Sequence, residues 1–256
     1  MRPALPRSLA TRPGRFAAFL VGPDDPLADA GRSVERIVFE TAFGLDADTM
    51  KAEYSGYDAV SRFIVVLDRV RDRPAGVIRL IDESSAGLKT LNDAPAHIGG
   101  TVDDIRAHHR MTDGRRAVDV ATLAVLPEYR GARSVLVSTL LYRTLYRAFH
   151  RDGITHVVAM IDEPAYRNLR RIGTPFVPML GSSPFTYLGS AENRALYGDF
   201  REFGPAITRN AALLREQARV TPASLRSPRR LLRRRVAARI ATTIITGEGL
   251  DRQIHL

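Results

Sequence analysis

Between Ala117 and Val125 the chain reads Ala-Val-Asp-Val-Ala-Thr-Leu-Ala-Val, a β-branched apolar strand interrupted by Asp119 and Thr122. An isolated buried carboxylate is costly, so Asp119 must either be paired or serve chemistry. As a base it would take a proton from an attacking amine, with Thr122 the only other polar side chain of the run. In a regular strand positions 119 and 122 face opposite sides. A β-bulge between them brings both to one face and frees a backbone N–H for a substrate oxygen.

The strand runs into Leu126-Pro-Glu-Tyr-Arg-Gly-Ala-Arg-Ser134, and from Ser134 the residues Val137, Leu140, Leu141, Leu145, Ala148 and Phe149 form a helical apolar stripe. A strand, a turn and a helix start make an anion site, because the first N–H groups of the helix lack partners and its dipole favours negative charge. A pyrophosphate or a phosphopantetheine arm suits this geometry. Tyr129, Arg130, Gly131, Ala132, Arg133 and Ser134 are the candidate contacts, with Leu123 and Val125 on the strand edge beneath the arm.

Arg79 lies between Ile78 and Leu80 in a second apolar strand. It either forms an ion pair with Asp119 or Asp58, or holds a substrate carboxylate while Asp58 holds the substrate's amine. Asp162-Glu163, at the end of a later strand, offers a second candidate base, although acids at such a place commonly cap the next helix.

The loop and its surroundings resemble the GNAT acyltransferase superfamily, in which an Arg/Gln-x-x-Gly-x-Gly/Ala loop holds the coenzyme A pyrophosphate. With Arg130 in the first motif position, Arg133 and Val135 take the small-residue positions. Leu169 stands where many members carry a catalytic Tyr, four residues before Gly173. The upstream half is similar to the acyl-homoserine-lactone synthases and long-chain N-acyl amino acid synthases. Its likeness rests on the helical Val34–Phe43, on Glu53-Tyr-Ser-Gly-Tyr-Asp58, on Gly76-Val-Ile-Arg-Leu80 and on Asp119, and the whole spans roughly residues 33 to 203. The resemblance implies an α/β fold with a mixed, mostly antiparallel sheet flanked by helices. In such a fold the strand from Val118 splays from the strand at 155–161, and the donor arm lies in the gap. It also implies an enzyme that moves an acyl group from acyl-CoA or an acyl carrier protein to an amine. The acyl thioester is a co-substrate, with no permanently bound cofactor and no metal.

The 256 residues can bury a sizeable core, and the absence of Cys excludes disulfides, thiolate metal sites and a Cys nucleophile. No Gly-x-Ser-x-Gly, His-Glu-x-x-His or Gly-x-x-x-x-Gly-Lys motif is present, and the His108-His109 pair reads as surface. Of the net charge of +10, eight arginines between Arg219 and Arg239 carry most, with no acidic residue among them. The basicity therefore belongs to the C-terminal segment, and no aromatic residue follows Phe203 to stack on bases, which argues against nucleic acid.

These features divide the chain into a mobile leader (1–14), a GNAT-like domain (15–204) and a helical, Arg-rich tail (205–256). Within the domain, Ser33 is expected to cap the first helix, Ser61–Asp68 and Ala75–Asp82 to form a hairpin, and 83–116 to be a functional loop or to contain a short helix of undefined place. In the tail, a linker at 221–228 separates two helices. Leu232, Val236, Ile240 and Ile244 recur four apart on the second, a basic amphipathic surface for an acidic carrier protein or an anionic membrane, if its apolar face does not dock on its own domain. No apolar stretch approaches the ~20 residues of a membrane span, so a cytoplasmic chain, at most peripheral to the membrane, is expected. Two rivals to an N-acyltransferase acting on a small amino-acid-like acceptor remain open: a non-catalytic module that keeps the fold, and an adaptor acting through the tail.

Overall fold

A computed structural model describes residues 14–130, 134–220, 228–248 and 250–256. Its centre is a hairpin of two apolar strands, β2 (Ser61–Asp68) and β3 (Arg73–Asp82), whose near-continuous burial fits strands covered on both faces. β1 (Phe16–Val21) pairs antiparallel to β2, and β4 (Ala117–Val125) antiparallel to β3. β5 (His156–Asp162) lies parallel to β4, and β8 (Ser190–Asp199) antiparallel to β5, carrying the short β6 (Val177–Pro178) and β7 (Phe185–Tyr187). β9 (Ile254–His255) closes the other edge parallel to β1, giving the order β6-β8-β5-β4-β3-β2-β1-β9.

Two long helices cover the two faces. α1 (Pro26–Phe43) starts at Asp25, whose carboxylate accepts from the Leu27 N–H at 2.8 Å, with Pro26 at the first helical position. The helix therefore begins two turns before Ser33, whose hydroxyl instead bonds the Asp29 carbonyl; the Asp-Pro pair is the stronger start signal. Gly31 lets α1 approach the sheet closely, since a Cβ there would lie 3.0 Å from Val77, 3.2 Å from Val65 and 3.3 Å from Phe63. Gly31→Ala is expected to lower stability by about 1 kcal/mol. Overpacking of ~1–3 kcal/mol outweighs the helix-propensity gain of ~1, as a urea titration would read. α6 (Ser134–Asp152) covers the other face, packing Val137 and Leu141 over Gly76.

After the short α2 (Ala47–Tyr54), the polar stretch 83–116 holds three short helices, α3 (Lys89–Asp93), α4 (Pro95–Ile98) and α5 (Val102–His108). α5 is fixed by a reciprocal Thr101–Asp104 capping box. α7 (Glu163–Ile172) begins on an Asp162 cap and ends at Gly173, in the left-handed region with φ +94°.

α8 (Phe203–Val220) and α9 (Pro228–Thr246) pair with each other, and α9 also packs on α6 and α7. The four-residue spacing does not define α9's inner face. Ala238, Ala241 and Ile244 are buried while Leu232 is 62% exposed, because each four-residue step advances ~40° beyond a full turn. α9's C-terminal end is held by the buried Arg143 of α6, which donates to the carbonyls of Ile244 (2.8 Å) and Ile245 (2.7 Å) and pairs with Asp251 at 2.9 Å. The leader to residue 13 and the linker at 221–227 lie outside the described residues. Among the described residues no helix is long and apolar enough to cross a membrane.

Candidate active site

The ladder between β3 and β4 shifts register after Arg79. Arg79 faces Thr122 and Leu80 faces Val120, so Ala121 is an extra residue on β4. The bulge places Asp119, opposite Ile81, and Thr122, opposite Arg79, on one face of the sheet. β4 and β5 pair only from Ala117–Asp119 to His156–Val158 and then part.

A cavity of about 420 Å³ fills the gap they leave. Ala121, Thr122, Leu123 and Val125 line one side of it, Met160, Ile161 and Asp162 the other, with Phe39 and Phe43 of α1, Tyr54 and Tyr187 around the mouth. Leu123, Ile161 and Ala165 are shared with a second cavity of about 80 Å³, walled almost wholly by apolar side chains of β4, β5 and the helices α6, α7, α8 and α9. A third, of about 200 Å³, is lined by Arg32, Arg36, Lys51, Asp58 and Arg79 and shares Tyr54 with the first.

Of the expected catalytic pair, only Thr122 reaches a cavity. Its hydroxyl makes a short hydrogen bond to Glu35 Oε1. Asp119 is fully buried, lines none of the three cavities, and accepts from the Thr90 N–H at 2.5 Å and the Thr90 hydroxyl at 2.9 Å. Burial pushes its carboxyl up to about 7, against the opposing pull of those two bonds and of Lys89. Asp119 thus ties the start of α3 to the sheet and stands apart from the cavities in which an amine would sit. Asp162 lines the large cavity and caps α7, accepting from the Ala165 N–H at 2.7 Å.

Arg79 does not pair with Asp119. Its Nε and Nη2 meet Glu35 at 3.1 and 2.7 Å, its Nη1 meets Asp58 at 2.8 Å, and its guanidinium lies 4.4 Å from the Tyr54 ring centroid. With every donor group engaged and the side chain 5% exposed, Arg79 has little to offer an incoming carboxylate; Asp58, 42% exposed, remains open to solvent. Glu35 went unnoticed in the sequence because a charged residue in an amphipathic helix ordinarily reads as solvated, although it falls one turn after Gly31 and beside Val34 on the buried face.

Of the expected donor contacts, Leu123 and Val125 on β4 and Arg130 in the loop line the large cavity. Tyr129 is turned away: its fully buried ring packs edge-on against Phe16 and its hydroxyl donates to Asp68 at 3.1 Å, so its side chain is a core element. Gly131, Ala132 and Arg133 lie outside the described residues, as does the side chain of Ser134. Also missed was a polar network behind the cavity wall, in which Lys89 meets Glu53 and Asp93 at 2.6 Å and the Tyr187 hydroxyl at 3.0 Å. Burial, and then the hydrogen bond to Asp93, raise the Tyr187 hydroxyl far above its ordinary range. Among the described residues no acid–histidine cluster could hold a metal ion.

No protein-family model matches this sequence, and no curated protein does. Solved structures do. FeeM, an N-acyl amino acid synthase from uncultured soil microbes, is 16% identical over 75% of this chain and 94% of its own, with a TM-score of 0.57. TofI, crystallised in a ternary complex with an inhibitor and MTA, is 16% identical over 75% of this chain and 96% of its own at 0.52. The AHL synthase LasI is 12% identical over 73% and 91% at 0.51.

The fold is that of the GNAT acyltransferases.

Within this GNAT fold the parting of β4 from β5 is the gap in which the donor arm was expected to lie. Leu169, at the position where a catalytic Tyr was looked for, contributes a wall of the apolar cavity instead, as does Phe176 after the Gly173 turn.

Proposed function

We propose that this chain is an N-acyltransferase that moves an acyl group from a pantetheine thioester, carried by CoA or an acyl carrier protein, to the amine of a small amino-acid-like acceptor. The observation that carries this reading is the pair of cavities that share Leu123, Ile161 and Ala165 in their linings. A gap between splayed strands suits the pantetheine arm, and an apolar chamber sharing its wall suits a hydrocarbon chain longer than acetyl. Arg130 stands at the mouth, where phosphate would lie.

The acceptor enters through the third cavity, where Arg36 and Lys51 face its anionic group and Asp58 steers its cationic amine past Tyr54. Thr122 orients the nitrogen beside the thioester carbonyl. The ammonium first gives up a proton through the Thr122 hydroxyl to Glu35, which Arg79 holds in place. The free amine then attacks the carbonyl carbon, the C–N bond forms, the C–S bond breaks, and a second proton from the nitrogen goes to the sulfur as the thiol departs. Arg79 is in this scheme a positioning residue.

Thermal denaturation with acyl-CoAs of rising length, alongside acyl-carrier proteins, tests the donor. A donor at a hundred times its Kd should add ~2.7 kcal/mol, a melting-temperature rise of roughly 5–10 °C for a chain of this size. Leu123→Trp, which fills the shared rim, should abolish the rise. Thr122→Val should keep it while lowering turnover about 10²-fold. No stabilisation by any donor would sink the reading.

A further inference from the structure

The apolar cavity has one wall from the Arg-rich C-terminal segment, which the sequence marks as a basic amphipathic helix. Among the described residues, Ile244 is the one side chain that α9 adds to the lining; it is 2% exposed and takes no part in the rim shared with the larger cavity. Its backbone is fixed from α6, since Arg143 grips the carbonyls of Ile244 and Ile245 and is itself paired with Asp251. The other walls are strands of the central sheet and helices α6, α7 and α8, all packed into the main core. We infer that α9 is a working part of the acyl site and that Ile244, held in place by Arg143, sets the longest acyl chain the enzyme accepts. This rests on the acyl-donor reading above.

The size of the chamber gives the rule a scale. At the ~30 Å³ that a water-sized group occupies in a liquid, about 80 Å³ takes roughly three methylene-sized groups beyond the shared rim. Each methylene that finds room strengthens binding about fourfold, the equivalent of ~0.8 kcal/mol, and the gain stops when the chain meets Ile244.

The test uses the full-length protein and a series of thioesters from butyryl to palmitoyl, on CoA and on acyl carrier protein, with affinity read for each length. In the native chain affinity climbs to a plateau. Ile244→Ala is expected to move the plateau about two carbons longer, so that the first chain excluded before gains roughly fifteenfold. Ile244→Phe moves it shorter. Ile240→Ala, a like truncation on the same helix at a residue outside the lining, leaves the plateau in place even if it lowers the melting temperature. A plateau unmoved by both Ile244 substitutions, or a uniform loss of affinity at all lengths, overturns the inference while leaving the acyl-donor reading intact. Failure of every thioester to bind the native chain overturns both.

Discussion

Replacing Arg79 with leucine is expected to cost the fold about 3–5 kcal/mol, a large part of the ~5–15 kcal/mol that holds a domain together. The reason lies in what is left behind. Glu35 is 1% exposed and receives two donor groups of Arg79; without them its carboxylate keeps only the Thr122 hydroxyl. Asp58 loses less, since it faces solvent and lies 3.9 Å from Arg32. Removing both charges should be milder than removing one. Glu35→Leu combined with Arg79→Leu is expected to regain most of the loss, because no uncompensated buried charge remains and the space is filled by carbon. Urea titrations of the two single variants and the double variant close the cycle. Activity should not recover with stability. The double variant is expected to fold and to bind the acyl donor, whose cavity it does not line, yet to turn over at least 10²-fold more slowly. A double variant as active as the native chain would remove Glu35 from the mechanism.

The cycle also bears on what a sequence can disclose. Asp119 and Thr122 stood out because two polar residues interrupt an apolar strand at a spacing that a regular strand cannot put on one face, and the extra residue at Ala121 resolves it. Arg79 stood out for the same reason. Its partner did not, because a helix tolerates charges at most positions and only the close approach at Gly31 turns the face bearing Glu35 into the sheet. The helices at 89–93, 95–98 and 102–108 were illegible for another cause: four to seven residues give too few turns for a 3.6-residue period to show. Tyr129 was misplaced because a motif fixes a residue's place in the chain but not the direction of its ring, and here the core between β1 and β2 claims it.

Asp119→Asn is expected to stabilise the protein above neutral pH and to flatten its pH dependence. The carboxyl sits at about 7 in the folded chain, because burial disfavours its charge, and near 3.9 in the unfolded chain. Below about pH 4 both states hold the proton and Asp119 costs nothing. As pH rises from there to about 7, the unfolded state releases its proton while the folded state keeps it, so stability falls; above 7 both are ionised and the loss is complete. A separation of about three pH units corresponds to roughly 4 kcal/mol at full ionisation. Asparagine escapes that cost and preserves the geometry, since its carbonyl oxygen can accept from the Thr90 N–H while its amide donates to the Thr90 hydroxyl. At pH 8 the variant should be more stable than the native chain by on the order of 3 kcal/mol, and equal to it near pH 4, as denaturant titrations at both values would record. The same variant separates the two roles open to this residue. As an anchor for α3, it should keep turnover within a few-fold of native. As the base that the sequence suggested, it should lose about 10²-fold or more, because an amide cannot take the proton. The burial of Asp119 beneath Thr90, away from every cavity described, favours the first outcome.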